Sequence, residues 1–269
     1  MLGRIGRRDS LRALSVAHEL GIKHLDTARS YGWGEAESML GDFLATKPRD
    51  QFTLVTKCGI LPAKRSNGLA VAKAIARRAL QVAPASAGLI RRAASAQTFR
   101  PTRSYDTAVL RQSVETSLRQ LRTDYVDVLL LHNYATDMEG LEDILAFFQR
   151  LTEEGKVLRY GISIEGDLEQ GMQHLAAHGA LPNTLIQAPL SEALLQALVT
   201  YSEVTFIAHS PFRAAIHTDP EIPPLRGALR TLAAHDRCEA LVTSMFSPDH
   251  IRANVQAHAA EAARVAKAS

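Results

Sequence analysis

The chain has 269 residues, a length that suits one large α/β domain as well as two smaller domains. Its composition, 46% hydrophobic and 22% charged, is ordinary for a soluble globular protein. It contains no apolar run near the roughly 18 residues of a membrane span, and its basic N-terminus lacks the apolar stretch of a signal peptide. The formal net charge of +3 is local: residues 63–104 hold nine Lys or Arg and no acid, whereas the rest holds 22 basic and 28 acidic residues.

The first part of the chain alternates between strand and helix patterns, but it begins weakly. Residues 1–9 stand where a first strand belongs, yet they contain few apolar residues, so this strand is predicted to be short or missing. The elements predicted after it are a helix from Asp9 or Ser10 to about Leu20, a strand ending at Asp26, a helix to about Leu44 and a strand ending at Lys57.

A long connection follows the strand that ends at Lys57. Strand–helix connections usually have about 2–6 residues, whereas here a basic insertion at about 58–104 precedes the next predicted helix. Within it, Leu69–Val82 is predicted to be helical. We interpret the insertion as a lid or substrate wall, with a solvated surface loop as the alternative. Its arginines could attract anionic groups of a substrate, cofactor or partner, but nucleic acid is not expected because Phe99 is its only aromatic residue.

The rest of the chain has a regular order of elements. The predicted elements are the helix Asp106–Leu121, a strand ending at His132, and then helix Met138–Glu154, strand Val157–Ile164, helix Asp167–His178, strand Thr184–Ala188, helix Ser191–Thr200, strand Val204–Ala208, helix Leu225–Ala234, strand Glu239–Ser244 and helix Pro248–Ala263. Strict alternation of this kind indicates parallel strand–helix units. We therefore predict one domain over residues 1–269.

Three of the predicted strands end at an ionisable residue. These residues are Asp26, Lys57 and His132, and Tyr31 follows the first of them by five positions. Because the C-terminal ends of parallel strands meet at one rim, where active sites of α/β folds lie, we expect the four side chains to form one cluster. Each alone has an ordinary explanation, such as a cap, a loop aromatic, a surface lysine or a packed histidine, but together they favour a catalytic site.

Several segments resemble the signatures of the aldo-keto reductase family. The segments are DTARSYG (26–32), VTKCG (55–59), LLLHN (129–133), GKVLRYGIS (155–163), LIQAPL (185–190), FIAHSPF (206–212) and SPDHIRANV (247–255). They occur in the family's order, and the similarity extends from about Ser10 to about Ala257. The resemblance implies a (β/α)8 TIM barrel, a nicotinamide cofactor at the C-terminal rim, and reversible carbonyl reduction. In such a barrel the basic insertion would be a long loop after strand three.

The clustered residues suit that chemistry. Tyr31 would act as the general acid that protonates the carbonyl oxygen. The Lys57 ammonium is expected to lower the pKa of this phenol from its reference value of about 10. Asp26 would hold Lys57 charged and aimed, and His132 would orient the carbonyl by donating a hydrogen bond.

Further positions are implied to bind the cofactor by the resemblance alone. Ser163 and Gln187 match positions that hold the nicotinamide amide, although Ile164 replaces a frequent asparagine. His209 stands where a tyrosine usually stacks on the nicotinamide. The remaining candidates line the pyrophosphate and the adenosine end: Ser210, Phe212, Arg213, Ser244, Met245, Phe246, His250 and Asn254. The resemblance implies NADP as the default cofactor. Ser244 and His250 replace basic residues that usually secure the 2′-phosphate, which makes NAD a competitor.

The sequence leaves other functions open. The weak first strand, Ile164 and His209 are compatible with a family-fold protein that has lost cofactor binding and serves as a binding or regulatory subunit. A further alternative is an interaction protein whose basic insertion docks an acidic partner. The two cysteines, Cys58 and Cys238, have neither metal-ligand spacing nor a disulfide framework, which favours a cytoplasmic protein without a metal. Cys58 is interpreted as a small buried hydrophobe rather than a nucleophile.

Overall fold

The computed structural model describes residues 6–62, 102–182, 184–212, 222–245 and 247–268. Within these ranges the strands are β1 His24–Asp26, β2 Thr53–Cys58, β3 Val126–Leu131, β4 Val157–Ser163, β5 Leu185–Pro189, β6 Thr205–His209 and β7 Cys238–Val242. The helices are α1 Arg7–Glu19, α2 Ala36–Leu44, α3 Thr107–Leu121, α4 Leu141–Glu153, α5 Leu168–Ala177, α6 Glu192–Thr200, α7 Pro224–Leu232 and α8 Pro248–Ala268.

The seven described strands form one parallel sheet in the order of the sequence, from β1 to β7. They curve into a near-closed barrel with the helices outside, which confirms the predicted barrel of parallel strand–helix units. The stretch considered for a short or missing first strand is described only from Gly6 onward. Among the described residues no strand precedes β1, and Arg7–Asp9, which fall in the stretch considered for a first strand, already form the first turn of α1.

Alternation along each strand separates two layers of the core. The positions that point into the barrel carry a compact apolar set: Val55, Val128, Leu130, Leu185 and Ile207. The intervening positions pack outward against the helices in a much larger apolar cluster. Two residues after an inward apolar residue, the next side chain of the same strand again points inward and lies nearer the C-terminal rim. Lys57, Gln187 and His209 occupy such positions in β2, β5 and β6.

Side-chain caps set where several helices begin. The Asp106 carboxylate accepts hydrogen bonds from the backbone N–H groups of Ala108 and Val109 at 2.9 and 3.0 Å, at the start of α3. Asp167 and Ser191 cap α5 and α6 in the same way. The predicted boundaries of these helices are consequently correct to within one or two residues. The predicted helix Leu69–Val82 lies outside the described residues.

No helix within the described segments is both long enough and apolar enough to cross a lipid bilayer. The two cysteines are both free thiols. Cys58 is almost completely buried, as predicted, and burial raises the pKa of its thiol to about 12.

Helix α2 lies close to the backbone of α3 at Gly41. A Cβ atom at this position would lie 2.1 Å from the backbone carbonyl oxygen of Gln120, far inside van der Waals contact. The backbone of α3 cannot yield as a flexible side chain would. Gly41 therefore sets the distance between the two helices that cover β2.

We expect Gly41→Ala to destabilise the protein by about 1–3 kcal/mol, because the clash outweighs the usual gain of roughly 1 kcal/mol from replacing a helical glycine by alanine. The free energy of unfolding in urea measures this. Gly166→Ala is the matched control, since its Cβ would meet no atom within 4 Å, and it should change stability by less than about 0.5 kcal/mol. Equal stability of both variants would contradict the close approach.

Candidate active site

The structure brings the four predicted catalytic residues together at the C-terminal rim. Asp26 is the last residue of β1, Lys57 lies near the end of β2, and His132 directly follows β3. Tyr31 opens a short 3₁₀ turn, Tyr31–Gly34, that follows β1. Three neighbouring parallel strands thus deliver three side chains to one place, and the turn after β1 supplies the fourth.

The centre of the cluster is a buried ion pair. Lys57 Nζ lies 2.5 Å from Asp26 Oδ1 and donates a second hydrogen bond to the Thr27 carbonyl oxygen at 3.1 Å. Gln187 Nε2 donates to the other carboxylate oxygen, Asp26 Oδ2, at 2.7 Å. Lys57 is only 2% exposed, so its ammonium needs these oxygens to replace water. Asp26 and Thr27 therefore fix the position of the Lys57 ammonium.

Tyr31 lies against this ammonium and against His132. Lys57 Nζ is 5.3 Å from the centroid of the Tyr31 ring, and the Tyr31 and His132 rings meet edge to face with centroids 5.6 Å apart. The phenol ring of Tyr31 is therefore close to both a cation and an imidazole. A molecule that reached the phenol hydroxyl would lie within reach of His132 as well.

The prediction that the pKa of Tyr31 is lowered is wrong. Burial is the largest influence and raises the pKa of the phenol, while the charge and hydrogen bond of Lys57 lower it but do not offset burial. The net pKa is raised above 10. Sequence reasoning had included the cation but not the desolvation of the phenol. Tyr31 is consequently protonated at neutral pH and can donate its proton.

The charge states of its two neighbours follow from the same burial. Burial lowers the pKa of His132, and the Lys57 cation lowers it further, to about 3. Burial also opposes the charge on Lys57, but Asp26 and then Tyr31 more than compensate, so the pKa of Lys57 is raised. At neutral pH the cluster thus contains a charged ammonium, a neutral phenol and a neutral imidazole that can donate one N–H hydrogen bond.

A cavity of about 740 Å³ opens beside this cluster. Asp26 and Tyr31 line it, together with seven of the predicted cofactor residues: Gln187, His209, Ser210, Phe212, Ser244, Met245 and Asn254. Ser163 is paired with Gln187 across β4 and β5. His250 lies in the first turn of α8, exposed, and its backbone N–H donates to Ser247 Oγ at 3.2 Å. Arg213 and Phe246 lie outside the described residues.

Several buried polar atoms at the site have no hydrogen-bond partner within the described protein. They include Ser163 Oγ and His132 Nδ1 and, on the cavity wall, Thr27 Oγ1 and His24 Nε2. Buried polar atoms normally have partners, so unsatisfied ones at a rim suit a ligand that offers donors or acceptors. An amide group beside Ser163 and an oxygen beside His132 would satisfy such requirements. The residues present therefore fit a nicotinamide cofactor and a carbonyl substrate.

Sequence reasoning missed Glu165 as an ionisable side chain of this site. Glu165 lines the cavity, and its Oε1 lies 3.3 Å from His209 Nε2, while His209 Nδ1 is 2.9 Å from Ser210 Oγ. The Glu165 charge also contributes to raising the pKa of Tyr31. Its position directly after Ser163 and Ile164, beyond the end of β4, was the available signal.

Comparison with known proteins identifies the family of this chain. The model of the Aldo/keto reductase family matches residues 2–221, most of the chain. The chain belongs to the aldo/keto reductase family. This aldo/keto reductase is similar in fold to the structure of an aldo/keto reductase from Klebsiella pneumoniae in complex with NADP and acetate. That likeness has a TM-score of 0.64 and 22% identity, and covers 96% of this chain and 82% of the other.

Two curated relatives match shorter stretches of this aldo/keto reductase. It is 24% identical over 161 residues to the NADH-specific methylglyoxal reductase of Escherichia coli, covering 59% of this chain and 42% of that protein. It is 48% identical over 60 residues to the D-threo-aldose 1-dehydrogenase of a Pseudomonas species, covering 21% of this chain and 18% of that protein. The matches therefore span less than half of the length of these relatives.

The raised pKa of Tyr31 can be measured directly. We expect the phenol of Tyr31 to ionise only above pH 10, because burial outweighs the Lys57 charge. The measurement is the ultraviolet difference between the wild type and Tyr31→Phe during alkaline titration, which isolates one tyrosine among six. A midpoint well below pH 10 would show that the ammonium controls the phenol after all.

Proposed function

We propose that this aldo/keto reductase reduces a small aldehyde, ketone or sugar-like carbonyl with NAD(P)H, or oxidises an aldose-like alcohol in the reverse direction. The observation that carries the proposal is the proximity of the Tyr31 ring to both the Lys57 ammonium and the His132 ring. The proposed site of action is the cytoplasm, in keeping with two free cysteines.

Each of the four residues has one proposed task. A reduced nicotinamide, when bound, would supply the hydride for the carbonyl carbon. The Tyr31 hydroxyl donates its proton to the carbonyl oxygen, and Lys57 stabilises the phenolate that results. His132, neutral because its pKa is about 3, donates a hydrogen bond to the same oxygen without competing as an acid. Asp26 is an anchor that keeps the ammonium in place.

Residues along the cavity are proposed to hold the cofactor. Ser163 has an unsatisfied hydroxyl and would bind the carboxamide together with Gln187, which would exchange its hydrogen bond to Asp26 or share it. His209 would stack on the ring. The phosphate and adenosine end would lie along the other candidates, Ser210, Phe212, Arg213, Ser244, Met245, Phe246, His250 and Asn254, next to the N-terminus of α8, which favours an anion.

NADP is the proposed cofactor, and NAD is the competing one. A similar structure contains NADP, whereas one curated relative is named as NADH-specific. Ser244 and His250 stand where the family usually has basic residues that bind the 2′-phosphate, and this replacement weakens the argument for NADP. The substrate class rests on the relatives named as methylglyoxal reductase and aldose dehydrogenase. The comparisons lend no support to a non-catalytic binding subunit, and the basic insertion lies largely outside the described residues.

We expect one of the two reduced cofactors to bind and to be oxidised by at least one carbonyl compound. The measurement is a fluorescence titration with NADPH and with NADH, followed by a panel of methylglyoxal, aromatic aldehydes and aldoses with the cofactor that binds. An absence of binding at millimolar concentrations of either cofactor would overturn the proposal. Binding without turnover in either direction would favour the regulatory alternative.

We expect Tyr31→Phe and Lys57→Met to lose nearly all turnover, roughly a 10²–10⁴-fold decrease in kcat, because proton donation is lost or unsupported. Cofactor binding should survive in both, and the same fluorescence titration checks it. Tyr105→Phe is the matched control, since it removes the hydroxyl group of a half-buried tyrosine near Gly59 and leaves the four proposed catalytic residues intact. Full activity of Tyr31→Phe would refute the assigned role.

A further inference from the structure

The turn that carries Tyr31 has an unusual backbone. Gly32, Trp33 and Gly34 have φ values of 58°, 62° and 87°, so three consecutive residues adopt the left-handed conformation. For Trp33, which has a side chain, this costs roughly 1–2 kcal/mol. The Trp33 side chain is also 48% exposed. A backbone conformation of this cost persists only where surrounding contacts hold it.

Arg29 is the side chain that closes the turn. Its Nη1 donates to the Gly34 carbonyl oxygen at 3.2 Å and to Glu37 Oε2 at 3.4 Å. The two contacts bridge from the residue before Ser30 to the end of the turn and on to the first turn of α2. Tyr31 lies between the two ends that Arg29 connects.

Glu37 links this clamp to the strand that carries Lys57. Its carboxylate is completely buried, and Oε1 accepts a hydrogen bond from Thr56 Oγ1 at 2.7 Å. Ser117 of α3 adds a further hydrogen bond. Thr56 precedes Lys57, and strand alternation points its side chain outward while Lys57 points inward. The contacts from Arg29 to Glu37 and from Glu37 to Thr56 therefore connect the turn of Tyr31 to the residue before Lys57, on the outside of the barrel.

A buried carboxylate is costly unless it serves several partners. Burial raises the pKa of Glu37, and the hydrogen bonds from Thr56 and Ser117 and the charge of Arg29 lower it only in part. Replacing the Arg29–Glu37 pair by apolar residues would often be neutral or stabilising in a protein core. Its presence beside the catalytic turn points to a requirement for geometry rather than for stability.

We propose that Arg29 and Glu37 are positioning residues, which hold the Tyr31–Gly34 turn so that the phenol meets the Lys57 ammonium. This inference rests on the proposed function, because it assigns a role within the same reaction. Neither residue reaches the cavity or the reacting atoms. They act through the backbone of the turn and through Thr56.

Arg49 provides a matched control for Arg29. Its Nη2 lies 2.5 Å from Asp127 Oδ2, and its side chain is 19% exposed compared with 15% for Arg29. It also donates to a backbone carbonyl, that of Phe52, at 2.7 Å. This pair lies at the opposite end of β2 from Lys57. Arg49→Met thus removes a comparable ion pair without touching the turn.

The experiment compares Arg29→Met, Arg29→Lys, Glu37→Gln and Arg49→Met. We expect Arg29→Met to lower kcat by roughly tenfold or more, since a misplacement of about 1 Å can cost ~10²-fold, with the cofactor Kd unchanged within about twofold. Glu37→Gln should lower kcat in the same way, and Arg29→Lys should restore part of it. Arg49→Met should leave kcat within about twofold of the wild type. Hydrogen exchange of residues 30–35 should accelerate only in the Arg29 and Glu37 variants.

The outcomes separate this inference from the proposed function. If the wild type turns over no carbonyl but the turn still loses exchange protection only in the Arg29 and Glu37 variants, the proposed function fails and the positioning of the turn stands. If the wild type is active and Arg29→Met and Arg49→Met lose kcat equally, the positioning role is overturned. Unchanged exchange of residues 30–35 in folded Arg29→Met also overturns it.

Discussion

The burial of one ammonium group governs the architecture of this rim. Transferring the Lys57 cation out of water costs several kcal/mol, and the structure meets this cost with Asp26 and the Thr27 carbonyl oxygen. Both oxygens belong to the end of β1 or the residue after it. The register of β1 on β2, in which His24 pairs with Thr53 and Asp26 with Val55, therefore sets where the Lys57 charge lies. The states of Tyr31 and His132 then depend on that charge and on their own burial.

The division of each strand into two faces connects the site with its support. Inward positions of β2 carry Val55 and then Lys57, whereas outward positions carry Thr56 and Cys58. The proposed catalytic side chain of β2 thereby lies inside the barrel, and the outward side chains face α2 and α3. Gly41 brings those two helices close enough for Glu37 to reach both Thr56 and Ser117. A close backbone approach on the outside therefore contributes to geometry on the inside.

Local patterns were sufficient for the parallel strand–helix units and for the cluster of Asp26, Lys57 and His132, because a residue's face and rim follow from strand parity, whereas the barrel was implied by the family resemblance. They were not sufficient for the pKa of Tyr31, whose direction depends on how much water the folded surroundings exclude. They also gave no sign of Arg29 and Glu37 as a pair. Eight positions separate these residues across a turn with left-handed residues, a spacing that no regular element produces. The assigned catalytic roles remain predictions.

The outward direction of Cys58 has a consequence for oxidative stress. This thiol is the immediate neighbour of Lys57 along the chain, yet it packs in the opposite layer, and with a pKa of about 12 it contains almost no thiolate. Peroxides and electrophiles attack the thiolate form. The proposed catalytic lysine thus has a sulfur atom one residue away along the chain, on the opposite face of the sheet, where burial keeps the thiol protonated.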